Sequence, residues 1–93
     1  MSNDNKPTTE TLLTFPCDFT IKVFGAATDE FEAAVLQIIH RHVPNWNDRP
    51  IESKLSANGN YKSLSITVHV DSKEQLDRIY TDLHASKQVL MTL

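Results

Sequence analysis

Cysteine, positive charge and long apolar runs are all scarce in this chain of 93 residues, and each scarcity excludes a class of protein. Cys17 is the single cysteine, so no intrachain disulfide can form, and neither an iron–sulfur ferredoxin nor a Cys-x-x-Cys metal chaperone fits. Nine Lys and Arg residues against twelve Asp and Glu residues give a formal net charge of −3. That balance opposes nucleic-acid binding through bulk positive charge. No apolar run approaches the roughly 20 residues that span a bilayer.

The first eleven residues are almost all polar, and they cannot bury enough apolar surface to offset the entropy of ordering. The composition therefore predicts a flexible N-terminal tail over residues 1–11, followed by a single domain over residues 12–93. The tail also lacks the basic and apolar segments of a secretory signal, which predicts a cytoplasmic location.

Alternating and helical hydrophobic periods predict six elements in the order βαββαβ. The predicted strands and helices cover residues 18–24, 28–43, 51–57, 61–70, 72 onward, and 88–93. Asp29 with Glu32 and Ser72 with Gln75 have the spacing of capping boxes, which places the two helix starts. Each helix has one apolar stripe, so both helices must cover one face of the sheet. The expected fold is an α+β, ferredoxin-like sandwich with a four-stranded antiparallel sheet in the order 4-1-3-2.

Asn58-Gly59 separates the second and third predicted strands and predicts a two-residue type I′ hairpin turn, which needs positive φ at both central residues. Gly59→Val should therefore cost about 1–2 kcal/mol through backbone strain.

Several short segments resemble the YbeD-like family of small uncharacterised bacterial proteins. The segments that carry the resemblance are Phe15-Pro16, Phe19, Lys22-Val23-Phe24-Gly25, His42-Val43-Pro44, Gly59-Asn60-Tyr61-Lys62-Ser63-Leu64-Ser65 and Glu74-Gln75-Leu76. The resemblance implies a ferredoxin-like fold similar to the ACT regulatory domain, and it implies no established activity. Family members often lie beside genes of lipoate attachment, so the resemblance also implies a link to lipoate metabolism.

The predicted topology brings the end of the first strand, the start of the first helix and the Asn58-Gly59 turn to one edge of the sheet. We call this edge the upper edge and define it by Gly25, Ala26, Ala27, Gly59 and Tyr61, with Lys22 and Ser63 as an extension. Small residues allow a ligand to approach the backbone, a helix N-terminus offers unpaired N–H donors, and ACT-like domains bind small effectors in this region. Three acidic residues in the first helical turn favour a positively charged ligand or partner. The alternative is that Gly25 only makes a turn.

The open face of the sheet, which no helix covers, is the second candidate surface. It should carry Lys22, Phe24, Tyr61, Ser63, Ser65 and Thr67. An RNA-recognition domain stacks bases on aromatic side chains of this face. Here Ser and Thr occupy most of those positions, which favours a solvated or dimer-forming hydroxyl face.

Catalytic and metal chemistry find little support in the sequence. His40 and His42 are two residues apart on a helix, so their side chains diverge and cannot bind one ion, and His69 and His84 lack nearby ligands. The first strand–helix loop has no Arg of the kind an acylphosphatase needs, and Asp18 beside Cys17 disfavours a reactive thiolate.

Function is therefore expected to lie in binding. The first hypothesis is a non-enzymatic regulatory or adaptor domain that binds a small ligand or a protein, without cofactor, metal or membrane. The alternative is an RNA-binding module on the open face, although nucleic acid is a disfavoured partner. An enzyme acting through Cys17 or His42 is the weakest of the three.

Overall fold

The computed structural model describes residues 14–46 and 51–93, and over these residues the predicted order of elements is confirmed. The elements are β1 (Cys17–Ala26), α1 (Asp29–His42), β2 (Glu52–Leu55), β3 (Tyr61–Val70), α2 (Lys73–Ala85) and β4 (Val89–Thr92). The four strands form one sheet in the order β2-β3-β1-β4, and every neighbouring pair is antiparallel. The predicted ferredoxin-like fold is therefore confirmed. Residues 1–11 of the predicted tail lie outside the described residues.

Within residues 14–46 and 51–93, the sheet is four strands wide only near the upper edge. β1 and β3 pair along their full length, from Cys17 with Val70 to Ala26 with Tyr61. The outer strands are shorter than predicted, because β2 pairs only with residues 62–65 of β3 and β4 only with residues 23–25 of β1. Beyond them toward Cys17, β1 and β3 run on as a two-stranded ribbon.

One face of the sheet packs against both helices and forms the hydrophobic core. Its strand residues alternate with period two, as the sequence predicts, and are fully buried: Ile21, Val23, Leu64, Ile66, Val68 and Val70. The helices contribute the predicted stripes, with Phe31, Val35, Ile38 and Ile39 from α1 and Leu76, Ile79 and Leu83 from α2. Phe15 packs against the margin of this cluster. Among the described residues, no helix has the length and apolar character to cross a membrane.

The start of α1 differs by one residue from the prediction. Thr28, and not Asp29, is the N-cap, since its hydroxyl oxygen accepts a hydrogen bond from the Phe31 N–H at 3.1 Å. Phe31 is fully buried, and this anchor fixes which residue precedes the first turn. The predicted cap of α2 is confirmed, because Ser72 accepts from the Gln75 N–H at 3.1 Å. The Gln75 side chain, however, accepts from the Asp71 N–H at 2.7 Å instead of closing a capping box with Ser72.

The β2–β3 hairpin has a longer loop than the predicted two-residue turn, so the type I′ assignment is wrong. The Ser56 N–H donates to the Tyr61 carbonyl at 2.9 Å, which leaves four residues in the loop. A β-turn spans Ser56–Gly59, closed by the Gly59 N–H and the Ser56 carbonyl at 3.0 Å. The Asn58 side-chain oxygen accepts from the Ser56 hydroxyl and the Asn60 N–H, which stabilises this wider loop. Gly59 does have the predicted positive φ, at 77°.

Candidate functional site

The upper edge brings together most of the residues proposed from the sequence. Ala26 pairs with Tyr61 at the end of the β1–β3 ladder, and the Ala27 N–H donates to the Asn60 carbonyl at 3.1 Å. Gly59 lies two residues away in the hairpin loop, where a side chain would meet open space. Ala27 and Tyr61 therefore lie close together where the start of α1 meets the β2–β3 hairpin.

Gly25 packs closely against the hydrophobic core. It is buried, and a Cβ there would overlap the Phe31 ring and come within 2.6 Å of the Gln88 carbonyl oxygen. The glycine lets the backbone of β1 pass directly over Phe31. The space that the sequence suggested for a ligand is therefore occupied by the protein's own aromatic ring.

The acidic first turn of α1 is partly neutralised. Glu32 forms an ion pair with Lys62 at 3.3 Å, and the Lys62 side chain is only 14% exposed. Lys62 reaches α1 because it lies on the helix-covered side of β3, opposite Gly25. Asp29 and Glu30 remain exposed at the end of the helix.

A shallow groove of about 140 Å³ lies at the corner between the upper edge and β2. Apolar side chains form its walls: Phe24, Leu55 and Tyr61. Tyr61 is 53% exposed and Leu55 is 63% exposed, so two of the large apolar side chains that line the groove are also accessible to solvent. Lys54 and Lys62 lie on its rim.

The open face carries the residues predicted for it. Thr20 and Thr67 pair across β1 and β3 through their hydroxyls at 2.9 Å, and Lys22 Nζ lies 6.0 Å from the centre of the Phe24 ring. A wide cleft of about 380 Å³ follows β2 on this face, lined by Lys22, Glu52, Ser53, Lys54, Ser63 and Ser65. Its lining is mostly polar and charged, in contrast to the groove at the upper edge.

Four exposed apolar residues of the outer strands β2 and β4 and of the residue after β4 were not found from the sequence: Leu55, Leu90, Met91 and Leu93. β4 and the residue after it read Val-Leu-Met-Thr-Leu, so apolar residues fall on both faces of the strand. An amphipathic edge strand should alternate, and the lack of alternation was the signal for a second apolar surface.

The histidines have separate partners. His42 Nε2 donates to Asp82 Oδ2 at 2.5 Å, and Arg41 donates to the same oxygen at 3.2 Å, which ties α1 to α2. The hydrogen bond from His42 holds the pKa of Asp82 below its usual value, and the cation of Arg41 acts in the same direction. The His69 ring nitrogen lies 3.0 Å from Asp18, the His84 ring nitrogen lies 2.7 Å from the Thr92 hydroxyl, and His40 contacts the edge of Trp46.

Cys17 and Asp18 lie on opposite faces of β1, since Cys17 packs against the core while Asp18 pairs with His69 on the open face. Within residues 14–46 and 51–93, no group of three His, Cys, Asp or Glu side chains is placed to hold a metal ion.

Known proteins are similar to this chain over most of its length. A family model described as "Protein of unknown function (DUF493)" matches residues 10–93. A UPF0250 protein of Nitrosomonas europaea is 40% identical over 86 residues, which cover 92% of this chain and 99% of that protein. A UPF0250 protein of Neisseria meningitidis serogroup C is 42% identical over 82 residues, which cover 88% and 90% of the two chains.

One solved structure, the solution structure of protein HP0495 from H. pylori, has a TM-score of 0.72 and 19% sequence identity. The match covers 100% of this chain and 93% of that one. At this identity the likeness shows the fold alone.

Proposed function

This chain belongs to the DUF493 family, and from that premise we propose that it is a non-enzymatic regulatory or adaptor domain that binds a protein partner at the upper edge. The YbeD-like resemblance is confirmed by the same matches, which also leave the family without a stated activity. The proposal therefore rests on the surface of this chain.

The groove between Leu55 and Tyr61 carries the proposal. Pockets for small molecules usually enclose about 300–1,000 Å³, whereas this groove offers about 140 Å³ and is open to solvent. A space of that size accepts one aliphatic or aromatic side chain. Protein interfaces are commonly anchored by one such side chain in a small pocket, surrounded by exposed apolar contacts. The groove therefore favours a protein partner over a small effector.

The rim of the groove suggests the charge of the partner segment. Lys62 is already paired with Glu32, while Lys54 has no ion pair within the described residues. An acidic side chain beside the anchoring apolar residue would pair with Lys54. This differs from the sequence-based expectation of a positively charged ligand, because Glu32 of the acidic turn is already paired with Lys62 and only Asp29 and Glu30 of that turn are exposed.

Site-specific photo-crosslinking in living cells tests the proposal. Benzoylphenylalanine at position 61 should give a covalent adduct with a different protein, and the same probe at position 78 should not, because Arg78 is exposed on α2 away from the groove. Leu55→Glu should remove the adduct at position 61, as should Ala27→Glu, while the melting temperature stays near that of the parent.

An adduct that persists in both variants, or that forms equally from position 78, would contradict the upper-edge site. The expected link to lipoate metabolism remains a prediction, and the identity of the crosslinked protein would test it.

A further inference from the structure

Two adjacent rows of side chains cross the open face where the sheet is four strands wide. Strand pairing defines the rows, because directly opposed residues of neighbouring strands point to the same face. The upper row is Met91, Phe24, Ser63 and Lys54. The lower row is Leu93, Lys22, Ser65 and Glu52. Leu93 belongs to the lower row because it exchanges both backbone hydrogen bonds with Lys22, at 2.8 and 3.3 Å.

The charged side chains in these rows, Lys22, Lys54 and Glu52, form no ion pair with any residue that the structure describes. At the other end of the rows, Met91 is 51% exposed and Leu93 is 66% exposed. At the β2 side, the open face therefore carries the opposite charges of Glu52 and Lys54. At the β4 side, it carries the exposed apolar side chains of Met91 and Leu93.

This arrangement is complementary to itself, and we propose that the open face binds the same face of a second copy of the chain. A two-fold axis in the interface, perpendicular to the strands and midway between the rows, places each upper row over the lower row of the other copy. Lys54 then meets Glu52 of the second copy, and Met91 meets Leu93 of the second copy. Isologous contacts of this kind occur twice per dimer, so each pair is made twice.

The side chains in the middle of the two rows also make favourable contacts when the two copies are related by this axis. Phe24 comes over Lys22 of the second copy, and a Lys already lies near the Phe24 ring within one chain at 6.0 Å. Ser63 comes over Ser65 of the second copy, where hydroxyl groups act as both donors and acceptors. No like charges meet in this alignment. A partner with other chemistry would have to supply a basic group, an acidic group and an apolar strip in the same order.

The inference goes beyond the proposed function, because it concerns a different partner and a surface that extends across the open face. The two surfaces share Phe24, Ser63 and Lys54, which line the groove and belong to the upper row. They also share Tyr61, which lies one row above the upper row and would come over Thr67 of the second copy. Ala27 and Leu55 lie at the margin and on the helix-covered side, outside the rows. Dimer formation and partner binding would therefore compete for the shared residues.

Sedimentation equilibrium of the purified chain at low salt tests the inference. The parent should show a monomer–dimer equilibrium that weakens as salt is added. Lys54→Glu alone and Glu52→Lys alone should each weaken the dimer about tenfold, because two attractive pairs per dimer become repulsive. The double variant Glu52→Lys with Lys54→Glu should regain the parental affinity, since the charges are exchanged and not removed.

An equimolar mixture of the two single variants gives the sharpest result. One chain then has two acidic groups on β2 and the other has two basic groups, so heterodimers should form more tightly than either variant pairs with itself. Arg78→Glu is the matched control, because it makes the same change in charge on α2 and should leave the dimer unchanged.

Two results would overturn the inference. A parent that is monomeric at every concentration reached, or single variants that dimerise as the parent does with no gain on mixing, would exclude this pairing. Crosslinking at position 61 to a different protein is independent of both results, so the two proposals fail separately.

Discussion

The two faces of the central strands differ completely, although their residues alternate along the same backbone. On the helix-covered face, Ile21, Val23, Leu64 and Ile66 are fully buried. On the open face, their neighbours Lys22, Phe24, Ser63 and Ser65 are half-buried or exposed, and they carry charge, one ring and hydroxyl groups. The contrast shows that one face carries the hydrophobic core, which stabilises the fold, while the other face presents polar and charged groups to solvent.

The largest expected effect is the difference in free energy of unfolding between two single truncations, one on each face of β3. Ile66→Ala should cost about 2–5 kcal/mol, because it leaves a cavity in a fully buried position. Thr67→Ala, one residue away on the open face, should cost less than about 1 kcal/mol, since it loses mainly the hydroxyl contact with Thr20. Urea denaturation of both variants measures the difference. Equal costs would show that the open face contributes to stability as much as the core does.

The two glycines give a smaller effect and sharpen the same contrast. Gly25→Ala should cost about 1–3 kcal/mol, because the new methyl group overlaps Phe31 on the covered face. Gly59→Ala should cost about 1 kcal/mol, from its positive φ alone, since nothing lies within 4 Å of the added atom. Adding Phe31→Leu should recover part of the loss at Gly25 and none at Gly59. Chemical denaturation of the double variants would show this coupling, and additive losses at Gly25 would argue against it.

The smallest expected effect concerns the contact that holds the helices over the covered face. The folded-state pKa of Asp82 is lowered by its hydrogen bond with His42, so the group favours folding when it is ionised. Its contribution is present above the ordinary value of 3.8 and is lost as pH falls through the lower folded-state pKa. Asp82→Asn should therefore flatten the loss of stability on the acid side. Asp77→Asn is the control. The melting temperatures of both variants are compared from about pH 6 down to a pH a few units lower. Identical acid slopes in both variants would exclude the role of Asp82.

Much of the fold could be predicted because local patterns and topology agree. Polar and apolar residues of β3 alternate without a break from Ser63 to Val70, and the predicted bounds of the strand, Tyr61 and Val70, match the structure. The N-cap of α1 and the length of the β2–β3 loop differ from the prediction, because competing local contacts determine both. Thr28 and Asp29 are both good capping residues, and the burial of Phe31 selects Thr28. Asn58-Gly59 is a strong signal for a two-residue turn, yet the Asn58 side chain stabilises a four-residue loop.

The candidate site was predictable in place but not in detail. Topology alone put Ala26, Ala27 and Tyr61 at one edge. It could not show that Phe31 fills the space beside Gly25, because that depends on a side-chain position one element away. Alternation with Leu64 puts Lys62 on the covered side of β3, but it could not show that Lys62 pairs with Glu32, because that contact depends on how α1 packs against the sheet.

The indole of Trp46 forms a hydrogen bond with the edge of β3 at a position where β2 no longer pairs with it. Beyond Ser65, the described part of β2 provides β3 with no further strand neighbour, and the Trp46 indole N–H donates to the Thr67 carbonyl at 3.0 Å. An exposed strand edge with free backbone groups is a template for pairing with other chains and for aggregation. By occupying that carbonyl with a buried, bulky ring, Trp46 closes one site at which a foreign strand could begin to pair. The tryptophan thus blocks one position at which the narrow end of the sheet could pair edge to edge with another chain.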